Sequence, residues 1–494
     1  MQDRITTLAD MENVSSNERT HIYRLNCDLL LHIFEINANM FGDCDALRTT
    51  RRASQVCRGW RSLLLETPWI WARLLDMGWP RRRWPAPEWL AELLRRTGSA
   101  PLWINARNAL VAESPSHISR FIFAILTNNW YRVERLVLRV EVPRWSVQNA
   151  DLWGWVYTPA PQLKVFDVYF GSALTPHPSS VPLFADNAPA LRSLVSDHHP
   201  IDLHASWLPN LRCLDIDAPC TPAEAVIALQ STKNLECLTL GLLSTPEADS
   251  EPGVAHLSKL RELTLITGLE HCPFLLSHIY TALDCSFMYW PPNIEEDHLA
   301  PHILVPAVRA LGDFAKRTLN VAAPTHLGFY SDYYTLHFRY GTKLGTPTFR
   351  LGLISPRSSL LPYATTSIII DAFTCVGFTS VTDLIFRIPL GMAPDESLMA
   401  FLENLSAVET LTTGQGELRL LVKVQNRLPL REGGPTEVFP ALKTIILSGQ
   451  EYAAYSSLDT HSSVGAFVEA RRAAGNVVTV RTGRDGEDVF RDYM

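Results

Sequence analysis

The side chains best able to hold a metal are 15 histidines and nine cysteines in a chain of 494 residues. They cluster twice, as His198, His199 and His204, and as His271, Cys272, His278 and Cys285. A structural zinc site draws on tightly spaced ligand pairs, because a short turn must aim both side chains at one ion. Neither cluster has that spacing. DHHP reads as a solvated, proline-flanked loop, and the second group as core cysteines. Phosphate-cradling loops are missing: there is no G-x-x-x-x-G-K-[ST] and no strand-linked G-x-G-x-x-G, and Gly414-Gln-Gly416 reads as a turn. No G-x-S-x-G elbow presents a serine, and no cysteine carries a local activating signature. The expectation is a non-catalytic protein without metal or cofactor.

Two other groups could make contacts rather than reactions. Residues 45–107 hold 12 Arg, no Lys and five acids (Asp45, Glu66, Asp76, Glu88, Glu92), a window of +7 in a chain of net −7. The remainder is therefore −14. A basic segment on an acidic body fits either nucleic acid, through Arg48, Arg51, Arg52, Arg58, Arg81, Arg82 and Arg83, or an acidic protein surface. A solvated helix face is the plainer reading of the same charges. The run FYSDYYTLHFRY at 329–340 is rich in aromatics. It reads first as strand packing and second as a recognition patch, since Tyr and Arg favour binding surfaces.

The elements that would carry the basic window are short helices. In RLNCDLLLHIFEINANM, Leu25, Leu29, Ile33 and Ile36 recur at helical spacing, joined by Leu30 and Phe34. Asn26 is the expected N-cap, Asp28 suits a first turn, and the helix should end near Asn37. A second helix is expected from Asp45 or Thr49, with Ala53, Val56, Cys57, Trp60 and Leu64 on one arc. Pro68 should break it and open a third over Trp69–Leu75, with Thr67 as cap. Fewer than 60 residues make a thin core, so part of this apolar surface is expected to meet a partner. WPRRRWPAPEWLAELLRRTGSA reads as a linker and a helix with Trp89, Leu90, Leu93 and Leu94 on one face and Gly98 at its end. PLWINA reads as a strand.

These pieces together resemble an F-box, in the form found in mushroom-forming fungi. The matching parts are Leu25 with Asp28, then LLLHIFE, the loop NANMFGDCDALRTTRRA, VCRGWR, Pro68 and Trp71. Asn26 stands where the family usually has Pro. The resemblance implies docking on the acidic Skp-family adaptor of a cullin-based ubiquitin ligase. It implies adaptor-facing roles for Leu25, Leu29, Ile33, Phe34, Val56, Cys57, Trp60, Leu64, Pro68 and Trp71, some of which must instead form the bundle's own core. Trp60 and Trp71 are the foremost interface candidates, because large aromatics dominate binding hot spots.

The long remainder repeats a string of apolar-x-x-apolar-x-apolar form. It occurs as VERLVL (133–138), LKVFDV (163–168), LRCLDI (211–216), LECLTL (235–240), LRELTL (260–265), VTDLIF (381–386) and LKTIIL (442–447). LRSLVS (191–196) and VETLTT (408–413) are weaker copies. Steps between starts from 133 to 260 are 30, 28, 20, 24 and 25 residues, mostly within the range of leucine-rich repeats. One strand per repeat cannot bury its own apolar face, so repeats stack and their strands pair in parallel. Segments such as TPAEAVIALQ, with Thr221 and Pro222 opening a helix, would cover the outer side. This resembles a degenerate leucine-rich-repeat α/β solenoid, of the kind that often follows an F-box. Residues 266–380 hide the period and are expected to add strands, as a hairpin or side sheet that interrupts the arc. VGAFVEARRAAGNVVTVRT reads as a helix, a Gly475 cap and a last strand.

The expected organisation is a flexible tail over 1–20, an F-box bundle over 21–77, a linker and helix over 78–100, a repeat array over 101–482 and a tail or cap over 483–494. Composition supports a folded chain: 47% of residues are hydrophobic and 19% charged. The longest apolar run, FIFAIL, and shorter ones such as III fall far short of the roughly 18 residues a membrane span needs. The first 20 residues lack a secretory signal, and nine scattered cysteines with no C-x-x-C are not a disulfide framework. The expected location is intracellular, in cytoplasm or nucleus. The expected role is the substrate-recognition subunit of a Skp-cullin-F-box ubiquitin ligase, with an unknown protein substrate on the array. The alternatives are a nucleic-acid-associated scaffold and an F-box scaffold outside ubiquitination.

Overall fold

In the computed structural model, the described residues are 25–78, 86–110, 116–140, 150–169, 182–197, 201–217, 220–241, 253–292, 294, 296–319, 323–332, 334–343, 346–355, 361–374, 376–388, 392–428, 430–431, 434–435, 437–448 and 463–483. The expected tails, the histidines at 198 and 199 and the arginines at 81–83 lie outside them. The chain forms a mixed α/β fold whose sheets are mostly parallel and do not close into barrels. It separates into two compact units, Met1–Leu211 and Arg212–Met494.

The first unit opens with helices α1 (Cys27–Asn37), α2 (Ala46–Ala53), α3 (Arg58–Leu65) and α4 (Pro68–Ala72). Strand β1 (Leu75–Asp76), α5 (Pro87–Arg96), β2 (Leu102–Leu110), α6 (Ser116–Asn129), β3 (Val133–Val140), β4 (Val165–Tyr169) and β5 (Ser193–Asp197) follow. The sheet order is β1-β2-β3-β4-β5, with parallel pairing. Asn26 caps α1 as expected, its Oδ1 accepting from the Leu29 amide at 2.8 Å. The expected helix through residues 53–64 is instead two. Ser54 Oγ donates back to the Arg51 carbonyl at 2.7 Å, and Cys57 is extended, its Sγ accepting from the Trp60 amide at 3.4 Å. The third expected helix stops at Ala72, because Leu75 and Asp76 pair with Ile104 and Asn105. That pairing places the helices and the first strands of the array in one compact unit.

The second unit holds β6 (Cys213–Asp217), α7 (Pro222–Gln230), β7 (Cys237–Gly241), β8 (Ala255–Leu257), β9 (Glu262–Ile266), α8 (Cys272–His278), β10 (Ile279–Thr281) and β11 (Ser286–Tyr289). Next come α9 (Pro301–Leu319), β12 (His326–Ser331), β13 (Thr335–Lys343), β14 (Thr346–Ile354), α10 (Tyr363–Thr374), β15 (Asp383–Arg387), α11 (Glu396–Glu403) and β16 (Thr410–Thr413). It ends with α12 (Gln415–Gln425), the small hairpin β17 (Leu430–Arg431) and β18 (Gly434–Pro435), β19 (Thr444–Ser448), α13 (Ser463–Ala473) and β20 (Thr479–Gly483). The main order is β6-β7-β9-β11-β14-β13-β12-β15-β16-β19-β20.

Each apolar string found in the sequence forms a strand. In eight of the nine the leading residue sits just before the strand and is buried, as with Leu163, Leu191, Leu211, Leu235, Leu260, Val381, Val408 and Leu442. In β4, β6, β7 and β15, Phe166, Val168, Leu214, Ile216, Leu238, Leu240, Leu384 and Phe386 alternate into the core, and the residues between them stay half-buried on the other face. Backbone amides tie successive turns together, as Arg261 N to Glu236 O and Lys443 N to Glu409 O, each at 2.8 Å. Thr221 and Glu224 form a reciprocal capping box on α7, and Gly475 takes φ +90° after α13.

The 266–380 stretch does not interrupt the sheet. It inserts four strands into it, β11 to β14, with β13 alone reversed and antiparallel to both β12 and β14. β11 and β14 pair in parallel, as do β12 and β15, so the flanking repeats keep their direction. A side sheet exists as well, from β8 and β10.

Candidate docking surface on the N-terminal helices

Helix α1 carries two apolar stripes. At roughly 100° per residue, Leu25, Leu29, Ile33 and Ile36 fall within about 80°, and Leu30 and Phe34 lie about 100–140° round from Leu29. The chain buries the second stripe only: Leu30 and Phe34 are core, whereas Leu29, Ile33 and Ile36 are 51%, 38% and 64% exposed. The inward stripe has an obvious partner, since Trp60 meets Phe34 edge-on with ring centroids 5.1 Å apart. Arg73 donates to Glu35 at 3.1 Å, fixing α4 against the flank of α1. Its guanidinium also lies 5.1 Å from the Trp69 ring and 4.8 Å from Trp103.

The ten residues that resemblance places on the adaptor divide accordingly. Leu29, Ile33 and Val56 are exposed; Leu25, Cys57, Trp60 and Pro68 are half-buried; Phe34, Leu64 and Trp71 are sealed by the chain itself. The last three are corrections, and the reason is clearest at Trp71. Pro68 restarts the helix directly after α3, which folds the indole back so that Nε1 donates to the Leu64 carbonyl at 2.7 Å. Arg96 of α5 then covers the ring at 4.7 Å from its centroid. Trp71 is core and cannot be an interface anchor in this conformation. Val56 is exposed because the break at 54–57 removes it from the arc on which an unbroken helix would have held it. Ile36 and Leu65, also exposed, were not among the ten. Their signal was available in the unusual width of the apolar arc.

The arginines serve two purposes. Arg51 lies over Trp89 at 4.6 Å and Arg96 over Trp89 and Trp71, so part of the positive charge packs tryptophans within this unit. Arg48, Arg52, Arg58 and Arg61 are exposed. Helix α1 therefore exposes an apolar stripe, and α2 and α3 expose arginines.

The other sequence candidates resolve differently. Among the described residues no group of three or more His, Cys, Asp or Glu is arranged to hold a metal. Cys272 is fully buried, its thiol pushed up by desolvation, and His278 stacks on Phe274. In the aromatic run, Phe329, Phe338 and Tyr340 are core, whereas Tyr330 and Tyr334 line a cavity on the open face. No helix among the described residues is long and apolar enough to cross a membrane. No protein-family model matches this chain, and no curated protein is significantly similar to it.

Proposed function

We propose that this protein is the substrate-recognition subunit of a Skp-cullin-F-box type ubiquitin ligase. Helices α1–α4 act as the F-box, and the strand array acts as a degenerate leucine-rich-repeat solenoid that holds a protein substrate. The observation that carries the reading is the outward stripe of Leu29, Ile33 and Ile36 on an 11-residue helix that already has an inward one. Burying a Leu or Ile side chain is worth roughly 1.5–3 kcal/mol, so such a stripe left in water is a standing drive toward association. The exposed arginines of α2 and α3 match an acidic adaptor. The array adds support through its one-strand repeats, each closed by a buried leading Leu or Val.

The mechanism is positioning. Holding a substrate lysine near the charged ubiquitin carrier raises its effective concentration, and this chain supplies no reacting group. Nucleic-acid binding is the weaker reading, because Arg51 and Arg96 are engaged with tryptophan rings. Co-expression with a Skp-family adaptor tests the proposal. The wild type co-purifies, and Leu29→Glu with Ile33→Glu abolishes co-purification while the melting temperature stays unchanged. A wild type that never captures adaptor refutes the reading; a double variant that still does refutes the residue assignment.

A further inference from the structure

Two of the repeated strings carry cysteine at the same place. LRCLDI (211–216) and LECLTL (235–240) both have it third, as Cys213 and Cys237. Each string forms one strand, and successive strands pair in parallel, so equal places in the strings become neighbours in the sheet. Pairing of β6 with β7 sets Cys213 directly opposite Cys237. Alternation puts both on the face away from Leu214 and Leu238, which are core. The backbone is tied at the same point: the Glu236 and Cys237 amides donate to the Arg212 carbonyl at 2.6 and 2.9 Å.

Two thiols so placed are within bonding reach. Neighbouring strands lie about 4.8 Å apart, inside the roughly 4.4–6.8 Å that a disulfide spans between Cα atoms. Both cysteines are free and half-buried, whereas Cys220, Cys272 and Cys285 are buried. Burial pushes the Cys237 thiol well above the ordinary thiol range. Its hydrogen bond with Cys213 and the nearby Glu262 and Glu236 carboxylates add to the effect. Cys237 therefore keeps its proton, shared with the Cys213 sulfur, and is suited to react second.

We propose that Cys213 and Cys237 form a reversible modification site, at which a low-molecular-weight disulfide oxidises the pair to an intramolecular disulfide. Cys213 reacts first. Its sulfur, as thiolate, attacks one sulfur of the reagent, forming a mixed disulfide and releasing a thiolate that takes up a proton from solvent. Cys237 then gives its proton to solvent and attacks Cys213 Sγ, and the reagent's second thiolate leaves and is protonated. Two protein thiols and one reagent disulfide become one protein disulfide and two reagent thiols. The ring that closes contains α7, so oxidation ties one turn of the array to the next. Exposed disulfides are the more reducible ones, so a dithiol reductant reopens the link. The site belongs to the second unit and does not depend on the adaptor reading.

Treatment of the native full-length protein with oxidised glutathione tests this, read by alkylation of the remaining thiols, trypsin digestion and mass spectrometry. Cleavage after Arg212, Lys233 and Lys259 places Cys213 and Cys220 on one peptide and Cys237 on the next. The expected product joins peptides 213–233 and 234–259 and is lost on reduction with dithiothreitol. Cys220→Ser keeps the link and Cys213→Ser abolishes it, both with circular dichroism unchanged. Cys237→Ser stops at the first stage and leaves glutathione on Cys213. In urea the strand register is gone, and the yield of the link falls by about tenfold or more. Leu29→Glu with Ile33→Glu leaves the link intact, so this proposal and the adaptor reading fail separately. The proposal is overturned if the native protein yields no such link, if the link survives Cys213→Ser, or if it forms as well in urea as in the native protein.

Discussion

Helix α1 and the strand array treat their apolar residues in opposite ways. In β7, β9 and β15 the leucines and Phe386 of the repeated strings turn inward, and their leading residues are sealed beneath them. In α1, Leu30 and Phe34 turn inward while Leu29, Ile33 and Ile36 face out. The strands satisfy themselves by pairing side by side, mostly in parallel. The N-terminal helices bury one stripe of α1 and leave Leu29, Ile33 and Ile36 exposed. Several exposed apolar side chains on the array, such as Ile227 and Val477, need no partner to explain them.

Substitutions can break this contrast where it is strongest. Trp71→Ala removes a buried indole together with its hydrogen bond to Leu64, and should cost roughly 3–5 kcal/mol of stability in urea unfolding. A cost below about 1 kcal/mol would return Trp71 to the list of interface residues. The pair Leu30→Ala and Leu29→Ala separates the two stripes on one helix. The inward change should cost about 2–5 kcal/mol, whereas the outward change stays within about 0.5 kcal/mol in the isolated protein. Equal costs would mean that α1 has no free side. Within the array, Thr221→Ala deletes one half of a capping box and should cost about 1 kcal/mol, read as a small shift in the unfolding midpoint.

The smallest effect concerns pH. Hydrogen bonds from Arg95 and then Arg96 hold the Glu92 carboxyl at about 2, below its ordinary value of 4.5. A depressed carboxylate favours the folded state above the ordinary value, and the benefit fades as pH falls from 4.5 toward 2. The Glu92 side chain is 33% exposed beside a largely exposed Arg95, so salt should weaken the effect. Carbon-detected titration should find a midpoint near 2 in low salt, and a midpoint near 4.5 would show that the arginines do not hold it.

The array was legible because its signal is local. A six-residue string such as LECLTL contains both the strand and the leading residue that anchors it, and stacking identical units needs no distant information. Asn26 as N-cap and Gly475 as C-cap were legible for the same reason. What the sequence hid depends on distant partners. Trp71 is buried by Arg96, 25 positions on in the numbering, and Leu75 joins a strand because Ile104 offers an edge. The single reversed strand β13 follows from a chain path that reaches β12 first and returns to fill the place beside β11. In the run 329–340, alternation alone separates core Phe338 from cavity-lining His337, yet the side that stays open is set by which helices cover the other.

Hydrogen–deuterium exchange of the full-length protein with and without a Skp-family adaptor tests the central claim most directly. Adaptor binding should slow exchange in α1 and in the 54–65 segment, leaving β6–β20 unchanged. Unaltered exchange in α1, or protection confined to the strand array, would contradict the account.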